Sequence, residues 1–417
     1  MRRVVVTGIG IISPVGKNRE ETWNSLLEGR NGVSFIESFD PEHFKTKIAA
    51  EIKDFNPEDY GIEKKQIRRL DRFQQFAIAA SGEAMKDSGM KETDYDPYRS
   101  GVSIGVGFGG LHTFETEHKK FVENPEKAPR RISPFSIPMM IANLGSGLVS
   151  IEHNMKGPQH CPVAACASGT YGVIEGFRTI KEGLADVMIT GGAEAAISPI
   201  GTGGFMTMKA LSKRNDAPEK ASRPFDRDRD GFVPGEGAGI LILEELEHAK
   251  KRGAKIYCEM TGFGASSDAH HITQPSPGGE GAVRAMKNAI ESAGISPEKI
   301  NYINAHGTST PFNDKSESQA IRTVFGKHTD SIAVNATKSM VGHLLGAAGG
   351  LEAAVTALSI KNSVIHKTRN LENPGEGCDL DFVPEGKRNL SIRAALCNSF
   401  GFGGVNGVIV FESYNGE

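Results

Sequence analysis

Cysteine and aromatic residues are scarce in this chain: five cysteines, one tryptophan and 7% aromatic residues among 417. The cysteines are odd in number, scattered and without CxxC spacing. That excludes a disulfide framework or a thiolate zinc site and points to a reducing compartment. Net charge is only -3, so no global field recruits nucleic acid, and an anionic partner must be met by a local basic patch. No apolar run is long enough to span a bilayer, and the opening MRRVVVTGIGIISPVG is broken by glycines and has no cleavage pattern. The expectation is a cytoplasmic protein with no membrane span.

Glycine is in excess, with 50 residues in 417, against an average of roughly 7%. The glycines sit at turns beside apolar runs, which suggests closely approaching backbones rather than disorder. Hydrophobic content of 38% and charged content of 24% suit a globular protein with a large core. The length exceeds that of the usual single domain. Buried-strand runs (VVVTG, GVSIG, ADVMITGG, INYINAHG) alternate with helical ones (20–27, LDRFQQFAIAASGEAMKDSG, 280–294). The class is α/β, with mainly parallel sheets expected. TGIG near the start is echoed by TGFG after IYCEM, so two similar halves are expected, residues 1–255 and 256–417.

Two motif-like stretches fail on inspection. GIGIIS imitates a dinucleotide loop, but Ser13 takes the third glycine position and Pro14 follows where a helix should open. DRDRDGFVPGEG places Asp226, Asp228, Asp230 and Gly231 at calcium-loop offsets. The closing glutamate should be residue 237, which is Gly237, with Glu236 one residue early. Arg–Asp pairing that pins a loop is the better reading.

The chemistry gathers on PVAACASG, a small-residue loop that ends in Cys166 and opens into a helical run. The N–H groups and positive dipole end of such a helix favour a thiolate. Small neighbours leave room for a substrate. Taken alone, Cys166 reads better as a buried structural cysteine. His306 in AHGTST and His343 in KSMVGHLLGAAGG change that balance, because both stand in loops at strand ends, where open α/β sheets bind ligands. A helix N-terminus lowers histidine pKa, so a neutral imidazole could donate to an oxyanion. Lys338 lies five residues before His343. A Cys–His protease would pair one histidine with Asn or Asp and would not need this set.

PVAACASG, SRPFDRDRDGFVPGEGAG, NAHGTSTPFNDKSE, NATKSMVGHLLGAAGGLEA and NSFGFGGVN, in this order, resemble the β-ketoacyl-acyl carrier protein synthases, most of all the bacterial elongating type II enzymes. The similarity covers nearly the whole chain. It implies a thiolase-like fold, two βαβαβ halves in a five-layered αβαβα core, and a homodimer. It implies decarboxylative Claisen condensation in fatty acid elongation: an acyl group on Cys166 meets malonyl-acyl carrier protein, giving 3-oxoacyl-carrier and CO2. By motif, Cys166 would be the nucleophile, and His306 and His343 would drive decarboxylation. Lys338 would support them, paired with Glu352, and Asp314 would be structural support. The N–H groups of Cys166 and Phe402 would form the oxyanion hole, with the Phe402 ring as a gate. Thr308, Thr310, Thr273 and Phe400 would contact the substrate arm. Phe108 would line the acyl tunnel, where the family often has a smaller aliphatic residue, which implies short or medium primers. Lys64, Lys65, Arg68, Arg69, Arg130 and Arg131 would receive the acidic acyl carrier protein. No metal or organic cofactor is implied, since the carrier brings the phosphopantetheine. Ala164 departs from a frequent threonine without touching a catalytic role. A thiolase would show a late CxGGG, an initiating synthase would have Asn for His343, and a non-catalytic chain-length subunit would lack Cys166. A ketosynthase of a polyketide pathway stays open as the alternative.

Overall fold

The computed structural model describes residues 2–416. Its first strand, Val4–Ile12, is buried along its whole length. The strand runs straight through the TGIG glycines instead of stopping at them. The helix Arg72–Ser88 lies so close that a Cβ on Gly10 would stand 1.9 Å from the Ala80 carbonyl oxygen, and one on Gly8 2.3 Å from that of Ala84. The second half repeats the device. In strand Cys258–Ser267, a Cβ on Gly264 would meet the Ala285 oxygen at 1.9 Å, and one on Gly262 the Ala293 nitrogen at 2.5 Å, both in helix Glu280–Ala293. The TGxG echo is therefore one helix-on-strand packing solution used twice.

Strand order repeats as well. The first half runs Val4–Ile12, Gly237–Glu245, Val187–Glu194, Ser100–Gly105, Gln159–His160. The second runs Cys258–Ser267, Val405–Glu412, Ala394–Gly401, Ile300–Asn304, Ala333–Asn335. The two sets meet where residues 4–6 pair with residues 258–260. The boundary at residue 255 falls between helix Leu246–Lys251 and strand Cys258–Ser267.

The sheets are mixed, not mainly parallel. Ser100–Gly105 is parallel to both its neighbours, as Ile300–Asn304 is to its own. Gly237–Glu245 and Val405–Glu412 run antiparallel to both of theirs. Only Phe402–Gly404 separate Ala394–Gly401 from Val405–Glu412, a link too short for a parallel crossover.

Helices Ser168–Lys181 and Ala348–Asn362 pack on each other and on the strands of both halves, forming a central layer. Ala348–Ile360 is buried on every side, so its polar residues Glu352, Thr356 and Ser359 face other parts of the protein rather than solvent. Arg72–Ser88 covers one outer sheet face; Glu280–Ala293 and Pro311–Phe325 cover the other. The result is the expected αβαβα order. The excursion 206–237 is pinned as the Arg and Asp residues suggested. Arg223 Nε donates to Asp226 (2.9 Å) with both side chains buried, and Arg229 stands 3.5 Å from Asp314.

Candidate active site

The two central helices begin alike. A short 3-10 turn, Ala165–Ala167, leads into Ser168–Lys181, and another, Leu345–Ala347, leads into Ala348–Asn362. Each opens on a non-glycine residue in the left-handed region: Ala165 at φ +49° and Leu345 at φ +50°. Such backbone costs about 1 kcal/mol or more and persists where the surroundings enforce it. Ser168 Oγ enforces the first turn, accepting from the Ala164 N–H (2.9 Å) and donating to the Ala165 carbonyl (2.7 Å). The turn holds Cys166 at the base of a cavity, 8% exposed.

The N–H groups of Phe402 and of Cys166 itself both point at the sulfur. Gly401 makes this approach feasible, since a Cβ there would lie 2.7 Å from the Ala164 oxygen. Burial pushes the Cys166 thiol up to about 11; Lys338 and the two N–H groups pull it back only in part. Burial thus favours the thiol over the thiolate expected from the helix start, since desolvation outweighs the local positive field.

His306 and His343 face the same cavity, their rings edge to face at 5.5 Å. Their proton positions follow from their partners. The Leu345 N–H donates to His343 Nδ1 (3.2 Å), so the ring proton sits on Nε2. Lys338 Nζ lies 3.3 Å from His306 Nδ1 and 2.6 Å from the His306 carbonyl oxygen, and bonds Glu352. A lysine ammonium has three donors, and these three partners use them all; His306 is likewise left with a proton on Nε2. Burial, with Lys338 adding to it, holds both imidazoles well below the usual histidine range, so both are neutral donors. Burial also pushes the Glu352 carboxyl up to about 7, and Lys338 pulls it back.

Around the cavity, of about 300 Å³, the structure brings together Cys166, His306, His343, Thr273, Thr308, Thr310, Phe400 and Phe402. Lys338, Glu352 and Asp314 stand behind it. Asp314 accepts the Phe225 N–H at 2.8 Å. Phe108 is outside the cavity: it is half exposed, its ring edge-on to Phe205, which does line it. Lys64, Lys65, Arg68 and Arg69 line a shallow surface groove with Phe135, and Arg69 lies over the Phe135 ring at 4.5 Å. Arg130 and Arg131 are exposed on the same segment as Phe135. Among the described residues no cluster of His, Cys, Asp or Glu is arranged to hold a metal ion.

Sequence reasoning missed two partners of the histidines. Glu317 accepts the N–H groups of His306 and Gly307, both at 2.8 Å. Phe232 sets its ring edge against His343 at 5.2 Å. His343 also donates its own N–H to the Val233 carbonyl at 2.7 Å, so the pinned excursion ends as the clamp of a histidine. Glu317 follows the buried Asp314 by three residues on one helix, a spacing that could have revealed it.

The beta-ketoacyl synthase N-terminal domain matches residues 1–249, and the C-terminal domain matches residues 257–372. The chain belongs to the β-ketoacyl synthase family. A 3-oxoacyl-[acyl-carrier-protein] synthase 2 from Coxiella burnetii is 50% identical over 411 residues, covering 99% of this chain and 98% of its own. A solved β-ketoacyl synthase from Burkholderia phymatum superposes with a TM-score of 0.91 at 36% identity, covering all of both chains. A ketosynthase solved with its type II PKS acyl-carrier protein has a TM-score of 0.92 at 34% identity, covering 99% of this chain and 100% of its own.

Proposed function

We propose that this β-ketoacyl synthase elongates acyl chains in fatty acid synthesis by decarboxylative condensation with malonyl-acyl carrier protein. The observation that carries the reading is the convergence of one thiol and two neutral Nε2–H donors on one cavity, with two backbone N–H groups aimed at the sulfur. In acyl transfer, Cys166 Sγ attacks the thioester carbonyl of acyl-carrier. The developing oxyanion takes the N–H groups of Cys166 and Phe402, and the pantetheine thiol leaves with the proton that Cys166 gives up. Malonyl-carrier then places its thioester oxygen on the two Nε2–H groups. These stabilise the enolate formed as the C–C bond to the carboxylate breaks and CO2 departs. The enolate carbon attacks the acyl-Cys166 carbonyl, and collapse expels the Cys166 sulfur, which recovers a proton. Lys338 holds His306 in the donating tautomer, and Glu352 holds Lys338. Thr273, Thr308, Thr310 and Phe400 border the path of the pantetheine arm, and Phe402 flanks the oxyanion hole. The chemistry requires no cofactor beyond the phosphopantetheine on the carrier.

The partner is acyl carrier protein, received by the groove of Lys64, Lys65, Arg68 and Arg69 with Arg130 and Arg131 nearby. The Coxiella burnetii relative is named for that carrier. A homodimer is also proposed: Gln159–His160 is an edge strand, with exposed Ile151 and Val163 close to it in sequence. No helix among the described residues is long and apolar enough to cross a membrane, in keeping with a cytoplasmic place. Cys166→Ala tests the reading: acyl transfer and condensation should both be lost. Condensation at near wild-type rate by that variant would remove Cys166 as the nucleophile. A polyketide role is less favoured, because the relative at 50% identity is a 3-oxoacyl synthase, whereas the polyketide neighbour stands at 34%.

A further inference from the structure

Glu194 takes no part in the chemistry above, yet it is wholly buried at the end of strand Val187–Glu194. Its carboxylate accepts the N–H groups of Gly107 (2.8 Å), Phe108 (3.3 Å) and Gly346 (3.1 Å), and the Gly109 N–H also points at it. These donors belong to two loops of different halves. Gly107–Gly109 carries Phe108, whose ring backs the cavity-lining Phe205. Gly346 follows Leu345, whose N–H fixes the His343 tautomer. The loops touch: a Cβ on Gly346 would lie 2.3 Å from the Gly107 nitrogen, and one on Gly107 would lie 2.4 Å from Glu194 Oε2.

We propose that Glu194 is a positioning residue that locks the Phe108 loop to the His343 turn. One carboxylate thereby sets both the room behind Phe205 and the orientation of the decarboxylating imidazole. Only an acceptor without protons suits four converging N–H groups; an amide would turn a donor toward them and part the loops. Burial pushes this carboxyl up to about 7, against the N–H groups, which favour its charged form.

The inference rests on the proposed function, and its test keeps the two apart. Glu194→Gln and wild type are compared well below the variant's Tm, using malonyl-carrier alone and a length series of acyl-carriers. In the variant, malonyl decarboxylation should fall roughly ten- to a hundredfold, while Cys166 acylation by a short primer stays within about threefold, since misplacing a reacting group by about 1 Å costs on that order. The primer range should widen toward longer chains. Equal loss of both half-reactions, an unchanged primer range or unchanged decarboxylation each overturns the proposal. Should Glu194→Gln not fold, Glu194→Asp carries the same test, with the same split expected at smaller size. A wild type that decarboxylates no malonyl-carrier overturns the proposed function itself, whatever the variants do.

Discussion

Burial of His306 and His343, which disfavours their charged forms, is what the proposed division of labour rests on at the residue scale. Each spends Nδ1 as an acceptor and keeps a proton on Nε2. Replacing either by alanine removes one enolate donor, and comparable losses cost about 10²- to 10³-fold. Malonyl decarboxylation should fall by that amount, and self-acylation by acyl-carrier should suffer less; equal loss in both would sink the division. The pH dependence has a defined sign. Both imidazoles are held well below their ordinary range, so the donating form persists as pH falls through the ordinary value. Neither histidine should therefore give decarboxylation an acid limb near 6.5; a limb near 7 would instead report Glu194 and Glu352, whose carboxyls burial pushes up to about 7. Cys166 moves the other way, its thiol pushed up to about 11. Alkylation by iodoacetamide should rise about tenfold per pH unit from 7 to 10, because the thiolate is the nucleophile. A plateau by pH 8 would show that the helix start outweighs burial.

At the scale of elements, the outer helices are held by glycines that admit no side chain. Gly10 and Gly264 each face a helix carbonyl across a gap that a Cβ would reduce to 1.9 Å. Gly10→Ala and Gly264→Ala should each lower stability by about 1–3 kcal/mol or more through overpacking, read as a fall in the urea midpoint with little change in slope. Gly82→Ala, where nothing lies within 4 Å, is the control and should be neutral or stabilising, because alanine suits a helix interior better. The paired glycines also show what was legible beforehand. TGIG and TGFG announced two equivalent packings, and the loops carrying Cys166, His306 and His343 announced a common site. Strand direction was not legible: burial makes a central antiparallel strand such as Gly237–Glu245 read like a parallel one. The link made by Glu194 was hidden too, because its partners are backbone N–H groups, which leave no trace in residue type.

For the whole molecule, the question is how a chain of net charge -3 attracts an acidic partner. The proposed answer is one basic groove. Lys64, Lys65, Arg68 and Arg69 surround Phe135, and Arg130 and Arg131 stand a few residues before that ring. Exposed charges act mainly on encounter and are screened within about 8–10 Å at physiological salt. Each contributes roughly 0.2–1 kcal/mol. Reversing Arg68, Arg69, Arg130 and Arg131 to glutamate together should therefore raise the KM for acyl-carrier at least about tenfold. The effect should shrink as salt is added, because the wild-type advantage is screened away. A small thioester that enters the cavity without docking should keep its kcat/KM, since none of the four side chains lines that cavity. If the small thioester loses as much as acyl-carrier does, these arginines support the fold rather than the partner. If neither is affected, the carrier approaches from another face of the molecule.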